Sequence, residues 1–391
     1  MLKKNIVIYG ATGSIGESTL NLIRVNKENF NVVGLTCNEN ITKIINIANE
    51  FDCKNIGIAN KELITKNKTL LHNYNIFAGI DEFQHIISNY SVDIIIFAIS
   101  GSAPLQLLME LSSSGKCIGL ANKECIICLG NLFLDNAALS STKIVPLDSE
   151  HNALYQLIKN KNLDSIKKYT ITASGGNFYK YHYQDLMNIT PEQAVIHPKW
   201  KMGKKITVDS STLMNKMLEL IEAQKLFDIP DNKIDILIHP NSLVHAIIKL
   251  KNGLTKFIYH ETTMIIPLAN ALFEGDFNIE DFYNKKIKKR TIENLTFDKV
   301  NAKIFPIIKL KKRLNECPST PIIINAANEI LVDQFLQKKI PFLSISKTIL
   351  SILNDRNYKK YAIRNPENIK DIIKIDKWAR ETIIKRSKIH D

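Results

Sequence analysis

Asn5-Ile6-Val7-Ile8-Tyr9 is a short apolar run that passes without a spacer into Gly10-Ala11-Thr12-Gly13-Ser14-Ile15-Gly16, and no other stretch restricts the fold so tightly. A buried strand feeding a glycine turn and then a helix is the arrangement in which backbone N–H groups and a helix N-terminus receive a pyrophosphate. The spacing is Gly-x-x-Gly-x-x-Gly, not the commoner Gly-x-Gly-x-x-Gly, and such turns also occur without a ligand. A helical segment to about residue 25 leads to a second apolar run, Phe30-Asn31-Val32-Val33-Gly34-Leu35, and then to Thr36-Cys37-Asn38-Glu39-Asn40. This second strand end is where a Rossmann-type unit reads an adenosine ribose, and an acid such as Glu39 favours a free 2′-hydroxyl there over a 2′-phosphate.

Further strands are expected at Asn55-Ile56-Gly57-Ile58, Val92 to Phe97 and Cys117-Ile118-Gly119-Leu120, with helical patterns between them. That alternation predicts a parallel sheet covered on both faces. The last of these strands is closed by Ala121-Asn122-Lys123-Glu124, at the end where open α/β sheets place ligand groups, although the same residues also suit a plain helix start. Alternating segments at 236–238, 243–248 and 256–259 predict a small, mostly antiparallel sheet. From about residue 265 the pattern turns helical, and 369–384 is amphipathic. The fold class is α/β: an N-terminal Rossmann-type parallel sheet over 1–146, an α+β middle domain over 147–275 with a loop near 194–204, a linker over 276–300 and a C-terminal helical bundle over 301–391.

At the junction of the first and middle domains, Val145-Pro146-Leu147-Asp148-Ser149-Glu150-His151-Asn152 carries two carboxylates at i and i+2. In an extended segment both share a face and converge on one cation, and hard oxygen donors suit Mg²⁺ or Mn²⁺. The competing reading is that they cap the helix that follows. Ser174-Gly175-Gly176 suits an anion nest or an ordinary turn. Trp200 stands on a loop bracketed by Pro198 and Gly203, the profile of a lid, though a core tryptophan is equally compatible. Asp209-Ser210-Ser211-Thr212 is read as opening a helix on which Asn215 and Glu219 share a face beside Lys216, with Glu219 a candidate third oxygen ligand.

Composition narrows the classes. The 391 residues are 45% hydrophobic and 23% charged, an ordinary globular balance with room for two or three domains. No apolar run of about 18 residues and no charged-then-apolar leader is visible, so a cytoplasmic location is expected. The scattered cysteines are expected to be reduced, and the Cys125/Cys128 pair lacks the second pair that a metal ribbon needs. A net charge of +13 raises the question of nucleic acid, but the lysines are spread along the chain, and clusters such as Lys285 to Arg290 are usually solvated faces.

Six motifs in order, Gly10 to Gly16, Ala121 to Glu124, Leu147 to Asn152, Ser174-Gly175-Gly176, His197-Pro198-x-Trp200-x-Met202-Gly203 and Val208-Asp209-Ser210-x-Thr212-x-Met214-Asn215-Lys216-x-x-Glu219, resemble the 1-deoxy-D-xylulose 5-phosphate reductoisomerase family. Asn325-Ala326-Ala327-Asn328-Glu329 extends the resemblance into the C-terminal region. It implies NADPH-dependent conversion of 1-deoxy-D-xylulose 5-phosphate to 2-C-methyl-D-erythritol 4-phosphate in the non-mevalonate isoprenoid pathway, with Mg²⁺ or Mn²⁺. It implies that residues 1–146 bind NADPH through Thr12, Gly13, Ser14, Ile15, Asn38, Glu39, Asn40, Asn122 and Glu124, helped by Gly203 of the middle domain. Asp148, Glu150 and Glu219 resemble the metal ligands and, with Lys123, the catalytic set. Lys123, Ser149, Glu150, Ser174, His197, Trp200, Ser210, Asn215, Lys216 and Glu219 resemble the substrate-binding residues, with His197 and Trp200 on a closing flap. A homodimer built on the middle domain is expected from the same resemblance.

Some positions depart from the family's usual pattern. Asn38 and Glu39 stand where a glycine and a basic or small residue are common, which leaves discrimination between NADPH and NADH open. Asn177, Lys201 and Met217 replace a customary proline, serine and glycine. Two other readings compete: a metal-independent NAD(P)-dependent dehydrogenase of another small substrate, and a non-catalytic basic protein that binds nucleic acid or membrane. The first leaves three acids unexplained, and the second predicts salt-dependent DNA retention.

Overall fold

The structure, a computed structural model, describes residues 2–88, 91–282 and 294–387. Two compact units emerge, one formed by 1–125, 131–152 and 263–291, the other by 126–130, 153–262 and 292–391. The basic cluster Lys285 to Arg290 and part of the 276–300 linker lie outside the described residues.

The first unit is built on seven strands: β1 (Lys4–Tyr9), β2 (Phe30–Cys37), β3 (Asn55–Ile58), β4 (Asn75–Ala78), β5 (Ile94–Phe97), β6 (Cys117–Leu120) and β7 (Lys143–Pro146). They run in the order β4-β3-β2-β1-β5-β6-β7, every neighbouring pair parallel. Ile94 to Phe97 are all buried, as a strand covered on both faces requires. Strand order reverses between β1 and β5, which opens a crevice at the carboxyl ends of the strands.

Two strands are absent from the sequence reading. β4 is an edge strand, and none of its four residues is fully buried, so it lacks the apolar signal of its neighbours. β7 follows β6, so the strand ending at Leu120 is not the last. The strand expected from Val92 begins at Ile94, because the Asp93 carboxylate turns back to accept the Asn5 N–H at 2.8 Å.

The helices covering this sheet show the spacing that buries one face. Ser14–Arg24 buries Leu20, Leu22 and Ile23, and Ile41–Glu50 buries Ile41, Ile44, Ile47 and Ala48. A third, Ile265–Phe273, joins the same core through Leu268, Ala271 and Leu272. Gly119 on β6 lets it approach: a Cβ there would already touch Ala271 at 3.4 Å and overlap Ile96 at 2.8 Å.

The second unit holds a sheet of β8 (Ile166–Ala173), β9 (Ile234–Ile238), β10 (Val244–Leu250) and β11 (Thr255–Tyr259), in the order β11-β10-β8-β9. Its β10 pairings are antiparallel and β8–β9 is parallel. The C-terminal part is helical, with Thr320–Leu336, Phe342–Ile352, Tyr358–Ala362 and Ile369–Ser387. Arg380 ties Ile369–Ser387 to Thr320–Leu336 by pairing with Asp376 and Glu329. Asn325 and Asn328 are fully buried, and Asn328 donates to Asp209 Oδ1 at 2.8 Å. No disulfide joins any of the six cysteines. Among the described residues no helix is long and apolar enough to cross a membrane.

Candidate active site

In the first unit the end of β1 turns sharply at Gly10, whose φ of +87° suits glycine and whose Cβ, if present, would stand 2.6 Å from the Ala98 carbonyl. Gly16 is equally constrained, since a Cβ there would meet Gly10 O at 2.5 Å. Gly10 N donates to Thr36 Oγ1 at 2.9 Å and Ala11 N to Thr36 O at 2.8 Å, which fastens the turn to the end of β2. The helix Ser14–Arg24 then starts at Gly13, which offers no side-chain cap. Its first N–H groups and its positive dipole end suit an anionic ligand such as a pyrophosphate. Thr12, Gly13, Ser14 and Ile15 form this cradle, while Asn38, Glu39 and Asn40 are exposed beyond β2.

At β6 and β7 the geometry differs from an extended pair of acids. Ser149 begins the helix Ser149–Ile158, so Asp148 precedes it and Glu150 lies in its first turn. Asp148 Oδ1 accepts the Glu150 N–H at 3.2 Å, the capping role that was the competing reading. The extended backbone expected there is thereby corrected to a helix start, yet the convergence holds, with a carboxylate oxygen of Asp148 and one of Glu150 within 4.8 Å of each other. Capping leaves Asp148 with other work: Lys123 Nζ donates to its Oδ2 at 2.8 Å, and the His151 ring stands 3.3 Å from its Oδ1. Ser149 donates to Glu150 Oε2 at 2.7 Å.

Lys123 is buried with its carboxylate partner largely enclosed, at 8% and 16% side-chain exposure. Removing one member of such a pair costs about 3–5 kcal/mol, so this contact fixes where the ammonium points. Glu124 is buried beside it at the start of Lys123–Leu129. Asn122 is fully buried; its amide donates to Ile99 O and Gly101 O and accepts the Cys125 N–H. The side chain therefore clamps the ends of β5 and β6 together.

In the second unit the helix expected to open at Asp209 begins earlier. Lys204–Thr212 forms one helix from its Gly203 cap, and Met214–Phe227 a second, separated by Leu213 at φ +67°. The break places Ser210 near the end of one helix and Asn215, Lys216 and Glu219 near the start of the next. Lys216 and Glu219 are buried and paired at 2.5 Å, and the Asn215 amide donates to Glu219. Glu222, three residues on, is also buried. His151 and Glu222 are two buried polar groups that the motif reading did not single out; each lies one helical turn beyond an acid that it did.

Ser174 follows β8, and Gly175 and Gly176 take φ of +83° and +62°. A Cβ on Gly176 would approach Ser210 O to 2.8 Å, so the glycine turn and the Ser210 backbone are close neighbours. His197 Nδ1 accepts backbone N–H groups from Lys199 at 3.1 Å and Trp200 at 2.9 Å, which assigns the proton to Nε2. Nε2 then donates to Ser174 Oγ at 3.0 Å, and Gly176 N donates to the same oxygen at 3.1 Å. With both acceptor positions used, the serine hydroxyl is left to donate. Trp200 is half-buried and meets His245 edge-on at 6.3 Å, intermediate between a lid and a core residue.

Burial pushes the His197 ring down from 6.5 to about 4. A depressed histidine contributes stability that is complete above pH 6.5 and is lost as pH falls towards about 4. An NMR titration of His197 is expected to show a midpoint near 4; a midpoint at the ordinary 6.5 would contradict its buried, neutral state.

Against known families, residues 6–130 match 1-deoxy-D-xylulose 5-phosphate reductoisomerase, 144–227 its C-terminal domain, and 261–382 the DXP reductoisomerase C-terminal domain. The reductoisomerase of Pelagibacter ubique is 38% identical over 381 residues, 96% of this chain and 97% of that one. The chain belongs to the 1-deoxy-D-xylulose 5-phosphate reductoisomerase family. Another member, from Clostridium perfringens, is 36% identical over 98% of this chain and 99% of its own. A crystal structure of the reductoisomerase in complex with NADPH, fosmidomycin and magnesium superposes with a TM-score of 0.88 at 32% identity, covering 99% of this chain and 98% of that one. The Zymomonas mobilis member in complex with NADPH gives 0.86 at 32% identity, covering 99% of each. Membership makes this chain an oxidoreductase with the family's α/β fold.

Proposed function

We propose that this chain converts 1-deoxy-D-xylulose 5-phosphate to 2-C-methyl-D-erythritol 4-phosphate, with NADPH on residues 1–146 and a divalent cation, Mg²⁺ or Mn²⁺, held by Asp148, Glu150 and Glu219. Full-length family membership carries the activity. The glycine cradle fits a dinucleotide, and the carboxylates, Glu219 buried and Asp148 and Glu150 half-buried, supply the hard oxygen donors such an ion takes. When bound, the ion supplies Lewis-acid polarisation and NADPH supplies hydride.

The protein's own residues position and enclose the reactants. Lys123, oriented by Asp148, faces the substrate hydroxyls with Ser149 and Glu150. Ser174, with its hydroxyl directed outward by His197, joins Ser210, Asn215 and Lys216 in gripping the phosphate. Because His197 is neutral, it orients that donor without adding charge. Phosphate binding supplies energy that closes the loop carrying His197 and Trp200 and excludes water. Asn122, Glu124 and Gly203 complete the cofactor contacts, Asn122 through its backbone. Residues 147–275 are the catalytic and dimerising segment, followed by the 276–300 linker and the helical domain 301–391. A homodimer is supported by edge strand β11, where Phe257 is 50% exposed. The location is cytoplasmic, and neither nucleic acid nor membrane is a partner.

Purified protein with Mn²⁺ and NADPH is expected to lose nicotinamide absorbance only when 1-deoxy-D-xylulose 5-phosphate is added, and EDTA should abolish the signal. Turnover that survives chelation would favour the metal-independent dehydrogenase instead.

A further inference from the structure

An NADPH enzyme needs a cation for the 2′-phosphate, and the strand end that usually provides it offers only Asn38, Glu39 and Asn40. The acid at the centre of this loop would repel that group. Asn40 is committed to the helix Ile41–Glu50, where its side chain accepts the Lys43 N–H at 3.1 Å. The required charge therefore comes from elsewhere in this unit.

Lys43 lies in the first turn of that helix, and its ammonium donates to the Thr12 carbonyl at 2.8 Å and pairs with Glu17. Its side chain thus runs from the ribose-reading strand end to the pyrophosphate turn, two segments already fastened together through Thr36. An adenosine ribose in a Rossmann-type unit occupies the space between those segments. An ammonium has three donors, and Thr12 and Glu17 use two of them. A cation in the first turn of a helix is also opposed by the helix dipole, so it favours anions gathered around it. Glu17 is one, and an arriving phosphate is a second.

The nearest rival is Lys61, which starts the helix after β3. Its aliphatic stem packs against Gly79 at the end of β4, while the neighbouring Asn60 N–H donates to Asn38 O at 3.2 Å. That engages Lys61 with the sheet edge.

We infer that Lys43 is the residue that selects NADPH over NADH in this chain, taking the 2′-phosphate contact that Glu39 cannot make. The inference rests on the cofactor assignment above. A purely positioning role, holding the Thr12 carbonyl and hence the pyrophosphate turn, would affect both dinucleotides alike.

The test measures dissociation constants of NADPH and NADH by calorimetry for the wild type and for Lys43→Gln, Lys43→Arg and Lys61→Gln. Lys43→Gln is expected to weaken NADPH by about tenfold to a hundredfold, the range for losing one charge-assisted hydrogen bond, while NADH stays within about twofold and so reports an intact fold. Lys43→Arg should keep the preference, and Lys61→Gln should leave both constants unchanged. Equal weakening of both dinucleotides by Lys43→Gln, unchanged NADPH binding in that variant, or a selective loss in Lys61→Gln overturns the inference while the cofactor assignment stands. A wild type that binds neither dinucleotide, or both equally, removes that assignment and the inference with it.

Discussion

Glu219→Gln is expected to lower kcat/KM for 1-deoxy-D-xylulose 5-phosphate by about a thousandfold while leaving the NADPH dissociation constant within about twofold. Glu219 is 1% exposed, in the first half of Met214–Phe227, and Lys216 and Asn215 both hold it in place. A carboxylate so enclosed is unfavourable unless cations and donors surround it. One ammonium is already there, and a divalent ion would add the second charge that makes the anion worth keeping.

Glutamine preserves the volume and an acceptor for Asn215 but removes the charge, about 4 kcal/mol of transition-state stabilisation at 1.36 kcal/mol per decade. It also leaves the Lys216 ammonium buried without its counter-charge, so the melting temperature should fall. Calorimetric titration with Mn²⁺ separates the two effects, and binding at least about tenfold weaker is expected from the loss of one ligand. Full activity together with unchanged Mn²⁺ affinity would exclude Glu219 as a ligand. If Glu222→Gln alone abolished Mn²⁺ binding, the role would pass to that residue, also buried one turn further along.

Gly10→Ala is expected to destabilise the cofactor-binding unit by about 3 kcal/mol and to abolish measurable NADPH binding. Two penalties combine at this position. The φ of +87° is strained for any residue with a Cβ, and that Cβ would stand 2.6 Å from a backbone oxygen of the neighbouring strand end. Backbone cannot rotate aside as a long side chain would, so the turn must move, and with it the N–H groups suited to a pyrophosphate. By the usual size scaling the melting temperature should drop by roughly 6–12 °C. Gly203→Ala is the contrast in a thermal melt, since its φ is −63° and no atom lies within 4 Å of the added methyl. A Gly10→Ala protein that melts with the wild type would show that the turn is looser than its geometry implies.

The resemblance drawn from six motifs and the family shown by full-length comparison agree, and local residues explain why those motifs were legible. Buried strands such as Ile94 to Phe97 leave no polar positions to disguise them, and the glycine turn is recognisable because few other residues tolerate it. The edge strand β4 escaped because a strand half in water has no continuous apolar run. The helix break at Leu213 escaped for another reason: a left-handed leucine carries no local turn signal and is held in place by the packing around it, where it is 2% exposed. At Asp148 the spacing of two acids was read as a strand when the helix already began at Ser149. A helix cap and a metal ligand draw on the same residue type, so the spacing could not separate them.

What the sequence by itself determined was chemistry held in short stretches: the strand–glycine–helix entry, the order of the motifs, and the identity of the acids and lysines that carry them. The tertiary structure alone decided which of those groups lie out of water and what each one touches. Lys216 and Glu219 have the spacing of a solvated helix pair yet are buried, Asn122 is turned inward as a clamp, and Lys43 reaches from the helix after β2 to the Thr12 carbonyl in the turn after β1. Helix Ile265–Phe273 returns to the first sheet more than a hundred residues after it is complete. Periodicity along a chain reports that a face is apolar; it cannot report which distant face covers it, because burial is settled by packing between segments that sequence does not place side by side.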